Sequence, residues 1–150
     1  MTVLGTSFLS TSDATGYFYI EDIPPGSYTV QFSNNLYKTK TVSARVEKAK
    51  ETTISNINLD PKTGSIIGRV IDQADNSPIQ GAIVRSNTTS DSITTMTDGS
   101  FQLTNIRIGL HTLNVSATDY SKAELVVNVE EEKILTIPDV KIFKNPGSIY

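Results

Sequence analysis

Apolar and polar residues alternate with a period of two along almost the whole chain. Phe18 and Ile20 alternate with Tyr17 and Tyr19, and Tyr28, Val30 and Phe32 with Thr29 and Gln31. Further on, Leu113 and Val115 alternate with Thr112 and Asn114, and Leu125, Val127 and Val129 with Val126 and Asn128. Successive side chains of a strand point to opposite faces, so runs of this kind predict half-buried β-strands. Parity assigns Phe18, Ile23, Phe101 and Ile106 to the interior and leaves Tyr17 and Asn114 facing solvent. Turn residues fall between the runs: Pro24-Pro25-Gly26, Ser33-Asn34-Asn35, Pro61-Lys62-Thr63-Gly64, Asp75-Asn76-Ser77-Pro78 and Asp98-Gly99. Short strands separated in this way predict antiparallel β-sandwiches.

The pattern itself repeats. Gly16, Phe18, Ile23, Gly26, Thr29 and Tyr37 recur as Gly99, Phe101, Ile106, Gly109, Thr112 and Tyr120, each pair 83 residues apart (99 − 16 = 83). Val46, Glu47, Lys50 and Ile54 keep the register as Val129, Glu130, Lys133 and Ile137, and Gly64-Ser65-Ile66 returns as Gly147-Ser148-Ile149. A fixed step without insertions makes each copy one structural unit. One segment admits two readings. Ala44–Glu51 is rich in helix formers, but its counterpart Val127–Ile134 opens with β-branched alternation. Equivalent positions share a fold, so both read as a strand running into a charged turn.

Two periods would occupy 166 residues (2 × 83), and the chain has 150. Met1 maps onto Val84, inside a strand of the second copy, so the first copy is expected to lack its opening strand. Such a gap leaves unpaired backbone groups and an uncovered core flank.

Composition narrows the chemistry. The absence of cysteine removes disulfides, thiolate nucleophiles and thiolate metal sites. A net charge of −3 and a pI near 5.1 speak against nucleic acid or an anionic membrane as partner. No apolar run approaches the roughly 20 residues of a bilayer span. The single histidine, His111, takes the place of Tyr28 and reads as a packed or rim side chain rather than a base. No serine is marked as activated. The loop carboxylates Asp13, Asp91, Asp98 and Asp119 lack the dense spacing of a dedicated calcium loop. Gly64–Val70 has no lysine, so an internal Lys–Asn isopeptide bond is not expected. No catalytic, metal-binding or cofactor-binding residue is expected, and no cofactor.

Several runs resemble one family. Gly68-Arg69-Val70-Ile71-Asp72, Pro78-Ile79-Gln80-Gly81-Ala82-Ile83-Val84, Asp98-Gly99-Ser100-Phe101-Gln102-Leu103, Ile106 and Gly109 are similar to the carboxypeptidase regulatory-like domain. The first copy carries the later part as Ser12–Ile20 and Ile23-Pro24-Pro25-Gly26-Ser27-Tyr28-Thr29-Val30. The resemblance implies an all-β chain of two tandem Ig-like, transthyretin-like antiparallel sandwiches. Residues 1–60 would form an incomplete sandwich without its opening strand, 61–142 a complete carboxypeptidase regulatory-like one, and 143–150 a tail that begins the next repeat. It also implies a scaffold without chemistry of its own, used as spacer, adhesive module or accessory domain.

The expected function is therefore that of a non-enzymatic structural subunit of an extracellular filament or surface array. Chains would join head to tail as a homopolymer, a strand of one completing the first sandwich of the next. A contact that does not close on itself generates filaments. The expected assembly interface is the edge at Met1, Val3 and Gly5, with the tail residues Phe143, Gly147, Ser148, Ile149 and Tyr150 as donor. The alternative is a carbohydrate-binding or adhesive tandem module of a larger surface protein. Asn87-Thr88-Thr89 and Asn114-Val115-Ser116 are candidate glycosylation sequons, although such triplets also arise by chance in a chain rich in Ser and Thr. Tyr17 and Tyr19, both on the polar face of their strand, are candidate contact aromatics for a neighbouring subunit or a sugar ring; packing over adjacent loops would place them equally well.

Overall fold

The structure is a computed structural model and describes residues 1–87 and 92–146. The described residues contain strands and turns and no helix. The chain divides into two compact units, Met1–Pro61 and Lys62–Tyr150.

Unit 2 is a two-layer sandwich. One layer is built around β4 (Thr63–Asp72), which pairs antiparallel with β7 (Ser100–Arg107) along one edge. Along its other edge β4 takes two short strands in parallel, β10 (Ile134–Thr136) against its first half and β11 (Val140–Ile142) against its second. These parallel pairs refine the expected antiparallel scheme; side-chain alternation reports which face a residue takes and carries no information about strand direction. The other layer has the order β6 (Ser92–Thr94), β5 (Ile83–Ser86), β8 (Gly109–Ser116), β9 (Ala123–Val129), all antiparallel. Inward residues of both layers meet in one core that includes Ile66, Val70, Phe101, Leu103, Ile106, Leu113, Val115, Ile137 and Ile142.

Unit 1 carries one sheet, β1 (Thr2–Val3), β2 (Gly26–Asn34) and β3 (Tyr37–Val46), in that order. Its register reproduces that of β5, β8 and β9. Thr2 faces Gln31 as Arg85 faces Asn114, and Gly26 faces Val46 as Gly109 faces Val129. Val30 and Phe32 are buried on its inner face. β3 ends at Val46 and runs into a turn at Lys48–Ala49, so the strand reading of this segment holds.

The segments of unit 1 that correspond to β7, β10 and β11 are residues 17–24, 51–53 and 57–59. None of them forms a strand. The layer built around β4 in unit 2 has no counterpart as a sheet in unit 1.

Candidate functional site

Unit 2 shows what the second layer requires. β4 places Ile66 and Val70, both fully buried, between β7 on one side and β10 and β11 on the other. Two glycines let the strand sit close to its neighbours. A Cβ on Gly64 would overlap the Glu130 carbonyl and come within 2.9 Å of the Lys133 carbonyl. A Cβ on Gly68 would lie 2.6 Å from Ile137 Cγ1 and 2.8 Å from Phe101 Cζ. Both separations are well inside van der Waals contact, so glycine is a steric requirement of the slot.

Unit 1 retains the turns that flank this slot. The turn that forms the floor at Gly64 recurs: Lys50 N donates to Glu47 O at 3.3 Å just as Lys133 N donates to Glu130 O at 3.4 Å. Ala49 and Glu132 adopt φ of 58° and 57°, and Asp22 and Asn105 likewise 58° and 57°. These left-handed residues preserve the local path even where no strand forms. Tyr28 Oη donates to Pro24 O, and Thr52 Oγ1 to Arg45 O, tying both flanking segments to the sheet. Phe18 meets Phe32 edge to face with ring centroids 5.4 Å apart.

What the flanking segments enclose is open. A cleft of about 1380 Å³ is lined by Phe18, Ile20, Ile23, Val30, Ile54 and Ile57 among others. The expectation that Phe18 and Ile23 are buried fails. Phe101 and Ile106 are only 3% and 2% exposed, whereas Phe18 and Ile23 are half-buried. In unit 2 the covering surface comes from β4, and unit 1 has no strand in that position. Ile54, Ile57 and Leu59 are half-buried for the same reason, while their counterparts Ile137, Val140 and Ile142 are buried. Asn114 and Tyr17 are not buried, as strand parity requires.

The structure also relocates the open edge. Val3 is fully buried, its N–H donates to Phe8 O at 2.9 Å, and Thr2 pairs with Gln31 on one side and Leu9 on the other. The Met1 ammonium donates to Ser10 O at 2.7 Å. Gly5 sits in an exposed turn at φ 78°. Met1, Val3 and Gly5 therefore use their backbone and turn geometry within unit 1, and the segments without a strand partner are residues 17–24 and 51–59. The signal that locates them is the step of 83 applied to strand pairing rather than to chain ends.

Phe143 is exposed on its side chain while its backbone pairs with Ser121, donating to the hydroxyl and accepting from the amide. Gly147, Ser148, Ile149 and Tyr150 lie outside the described residues. Tyr17 and Tyr19 are 64% and 54% exposed beside the mouth of the cleft. Asn87 is exposed, and its side-chain oxygen accepts the Thr112 N–H at 3.0 Å. Asn114 is half-buried on β8 opposite Arg85 and Glu124.

The titratable groups serve the frame. Asp13 Oδ1 accepts from Thr15 Oγ1, Thr15 N and Tyr17 N, and these bonds, the hydroxyl first, hold its carboxyl below the usual range. Asp75 and Asp98 make the same turn with Ser77 and Ser100 and are lowered in the same way. His111 is 3% exposed, with Nε2 2.7 Å from Arg107 O and Nδ1 3.1 Å from Ser86 Oγ. A carbonyl only accepts, so Nε2 carries a proton there. Among the described residues no three His, Asp or Glu side chains gather as a metal site would need.

An extended segment laid in the cleft would find backbone partners on both flanks and apolar cover beneath. Each ladder bond contributes about 0.5–1.5 kcal/mol net, and each buried aliphatic side chain about 1.5–3 kcal/mol.

The carboxypeptidase regulatory-like domain family matches residues 2–60 and again residues 65–142. No curated protein sequence matches the chain. Among solved structures, a minor pilin of the gram-positive pathogen Streptococcus agalactiae aligns over 94% of this chain and 69% of its own, at 16% identity and a TM-score of 0.50. A cohesin–X-dockerin complex from Acetivibrio cellulolyticus aligns over 54% of this chain and 58% of its own, at 20% identity and a TM-score of 0.46. The major pilin subunit of Bacillus cereus aligns over 85% and 44%, at 15% identity and a TM-score of 0.45. The chain thus spans only part of the length of these structures, less than two thirds of the second and third. At these identities the likeness is one of fold.

Proposed function

Because the chain belongs to the carboxypeptidase regulatory-like domain family, we propose that it is a non-enzymatic structural component of an extracellular or cell-surface fibre. Its chains join head to tail as a homopolymer, and the joint is a β-strand from one chain laid into the cleft of unit 1 of the next. The observation that carries this reading is internal. The position filled by β4 in unit 2 is a cleft in unit 1, with the flanking turns repeated and no strand within it. The tail Gly147-Ser148-Ile149 repeats the opening residues of β4, Gly64-Ser65-Ile66, and is the proposed donor. The fold is one that the S. agalactiae minor pilin also uses, which is compatible with a place in a fibre.

Sedimentation of the full chain over a range of concentrations tests the proposal. Polymers that grow with concentration are expected, and a chain lacking Gly147–Tyr150 should form fewer of them while unit 2 stays folded. A chain that remains monomeric throughout would refute it.

A second reading has its own support. Tyr17 and Tyr19 are both exposed and both line the cleft, and exposed aromatic rings are what an adhesive or carbohydrate-contacting module stacks on a sugar. Saturation of Tyr17 and Tyr19 ring signals by an oligosaccharide, without polymer, would favour it. Asn87 and Asn114 are the proposed glycan acceptors, and a mass shift lost on their replacement by Gln identifies them.

A further inference from the structure

We infer that unit 2 withstands tension along the chain, because β4 at its start and β10 and β11 at its end form a clamp whose bonds are loaded together. The inference goes beyond the proposed fibre. It concerns unit 2 alone and applies whatever is attached on either side.

The chain enters unit 2 at the Thr63 end of β4 and leaves its last strand, β11, at Ile142. These first and last strands are neighbours, and they run parallel. A pull on the two flanks therefore draws β4 toward its Thr63 end and β11 toward its Ile142 end, in opposite directions along one seam. The bonds of a parallel pair run across the strands, so they share such a pull. In a hairpin pulled apart at its open end, each bond would take the whole force in turn.

The seam follows the full length of β4. Glu132 N donates to Thr63 O and Ser65 N to Lys133 O, both at 2.9 Å; Ile137 N donates to Ile67 O at 3.0 Å, and Gln73 N to Ile142 O at 2.9 Å. Between these bonds Ile134–Thr136 is in register with Ser65–Ile67, and Val140–Ile142 with Val70–Asp72. The ladder is interrupted at Pro138 and Asp139, and there Arg69 Nη2 meets Asp139 Oδ2 at 3.0 Å. On its opposite edge β4 is held by β7 from Thr63 to Arg69.

The exit is fastened as well. Beyond β11, Phe143 O accepts from Ser121 N at 2.8 Å, and Asn145 N donates to Asp119 O at 2.7 Å. Tyr120, between those two partners, bridges to Lys144 and donates its hydroxyl to Asp72 Oδ2 at 3.0 Å. Asp72 is 4% exposed, so this bond is shielded from water. The exit segment is thereby tied to the far end of β4.

Forced unfolding is governed by the unfolding barrier rather than by equilibrium stability, so the direction of pulling should matter. Single-molecule stretching of the full chain tests this. The chain has no cysteine, so introduced ones fix where the handles attach. One arrangement holds the chain at Met1 and Tyr150 and shears the seam. The other holds it at Met1 and at Lys133→Cys, an exposed position beside Ser65, and peels the seam open from its first bond. The unit 2 event is recognised by the chain it frees, about 300 Å in the first arrangement and about 250 Å in the second, from the reach of an extended chain. Shearing should require about twofold more force than peeling, or greater.

Two substitutions locate the resistance. Ile142 in β11 and Leu113 in β8 are both fully buried, and alanine at either removes a similar amount of core. Under a fixed shearing pull, Ile142→Ala should speed rupture about tenfold or more and Leu113→Ala less than about threefold, because β8 lies outside the seam. Equal forces in the two arrangements, or equal acceleration by the two substitutions, would overturn the inference. A chain that never polymerises but resists shear would keep the clamp and remove the fibre. Polymers of a chain that opens as readily by shear as by peeling would keep the fibre and remove the clamp.

Discussion

Gly16 and Gly99 occupy equivalent turns with φ of 86° and 76°, yet they differ in what surrounds them. A Cβ on Gly99 would lie 2.5 Å from the carbonyl of Val70, on β4, whereas one on Gly16 would meet nothing within 4 Å. Alanine at either site carries the left-handed strain of roughly 1–2 kcal/mol. Gly99→Ala must in addition push back a backbone atom, so chemical denaturation should show unit 2 losing more stability than unit 1 loses to Gly16→Ala. Equal losses would mean that the environments match after all. The same asymmetry governs the core: Phe101→Ala should cost about 3–5 kcal/mol, and Phe18→Ala clearly less, because Phe18 still faces the cleft. Asp13 makes a pH prediction. Its carboxyl is lowered from 3.8 in the folded turn by bonds from Thr15 and Tyr17, so its contribution is fully present above about pH 4 and is lost as pH falls through the lowered value. Asp13→Ala should therefore destabilise unit 1 at neutral pH, and the difference from the parent should vanish in acid; a gap that widens below pH 4 would contradict the turn.

At the scale of elements, alternation and turn residues were sufficient to read the strands of unit 2 and the β2–β3 hairpin of unit 1, because one face of each is buried and the other is wet. Strand direction was not legible. The parallel seating of β10 and β11 on β4 depends on how the chain returns, which no local pattern encodes. Nor was the state of residues 17–24 and 51–59. Phe18 and Ile20 alternate with Tyr17 and Tyr19 as cleanly as any strand here, but a strand is a pairing, and the partner that would supply it is not part of unit 1. The site was legible in outline from the repeat. That Met1–Val3 pairs with both Gln31 and the Phe8–Ser10 segment was not legible, because the Leu9 bridge is a single contact without a strand pattern. Ile66→Ala, which empties the centre of β4, should destabilise unit 2 by about 2–5 kcal/mol and leave the unit 1 hairpin signals unchanged. A fragment of residues 62–146 should unfold cooperatively in denaturant, while residues 1–61 alone should show a shallow transition; a steep transition for the latter would show that three strands suffice.

For the whole molecule, unit 2 closes its own sandwich, and under the proposed function unit 1 is closed by a strand of another copy. An uncovered strand slot is an association hazard unless its occupant is supplied, and the proposed function assigns that occupant to another copy of the chain. Hydrogen exchange resolves this most directly, because it reads ladder bonds residue by residue. The amides of Phe18–Ile23 and of Glu51–Leu59 should exchange freely in the dilute chain and become protected in concentrated, polymeric material, while β2 and β3 are protected in both. Polymers in which those two segments stay unprotected would place the joint elsewhere and contradict the account.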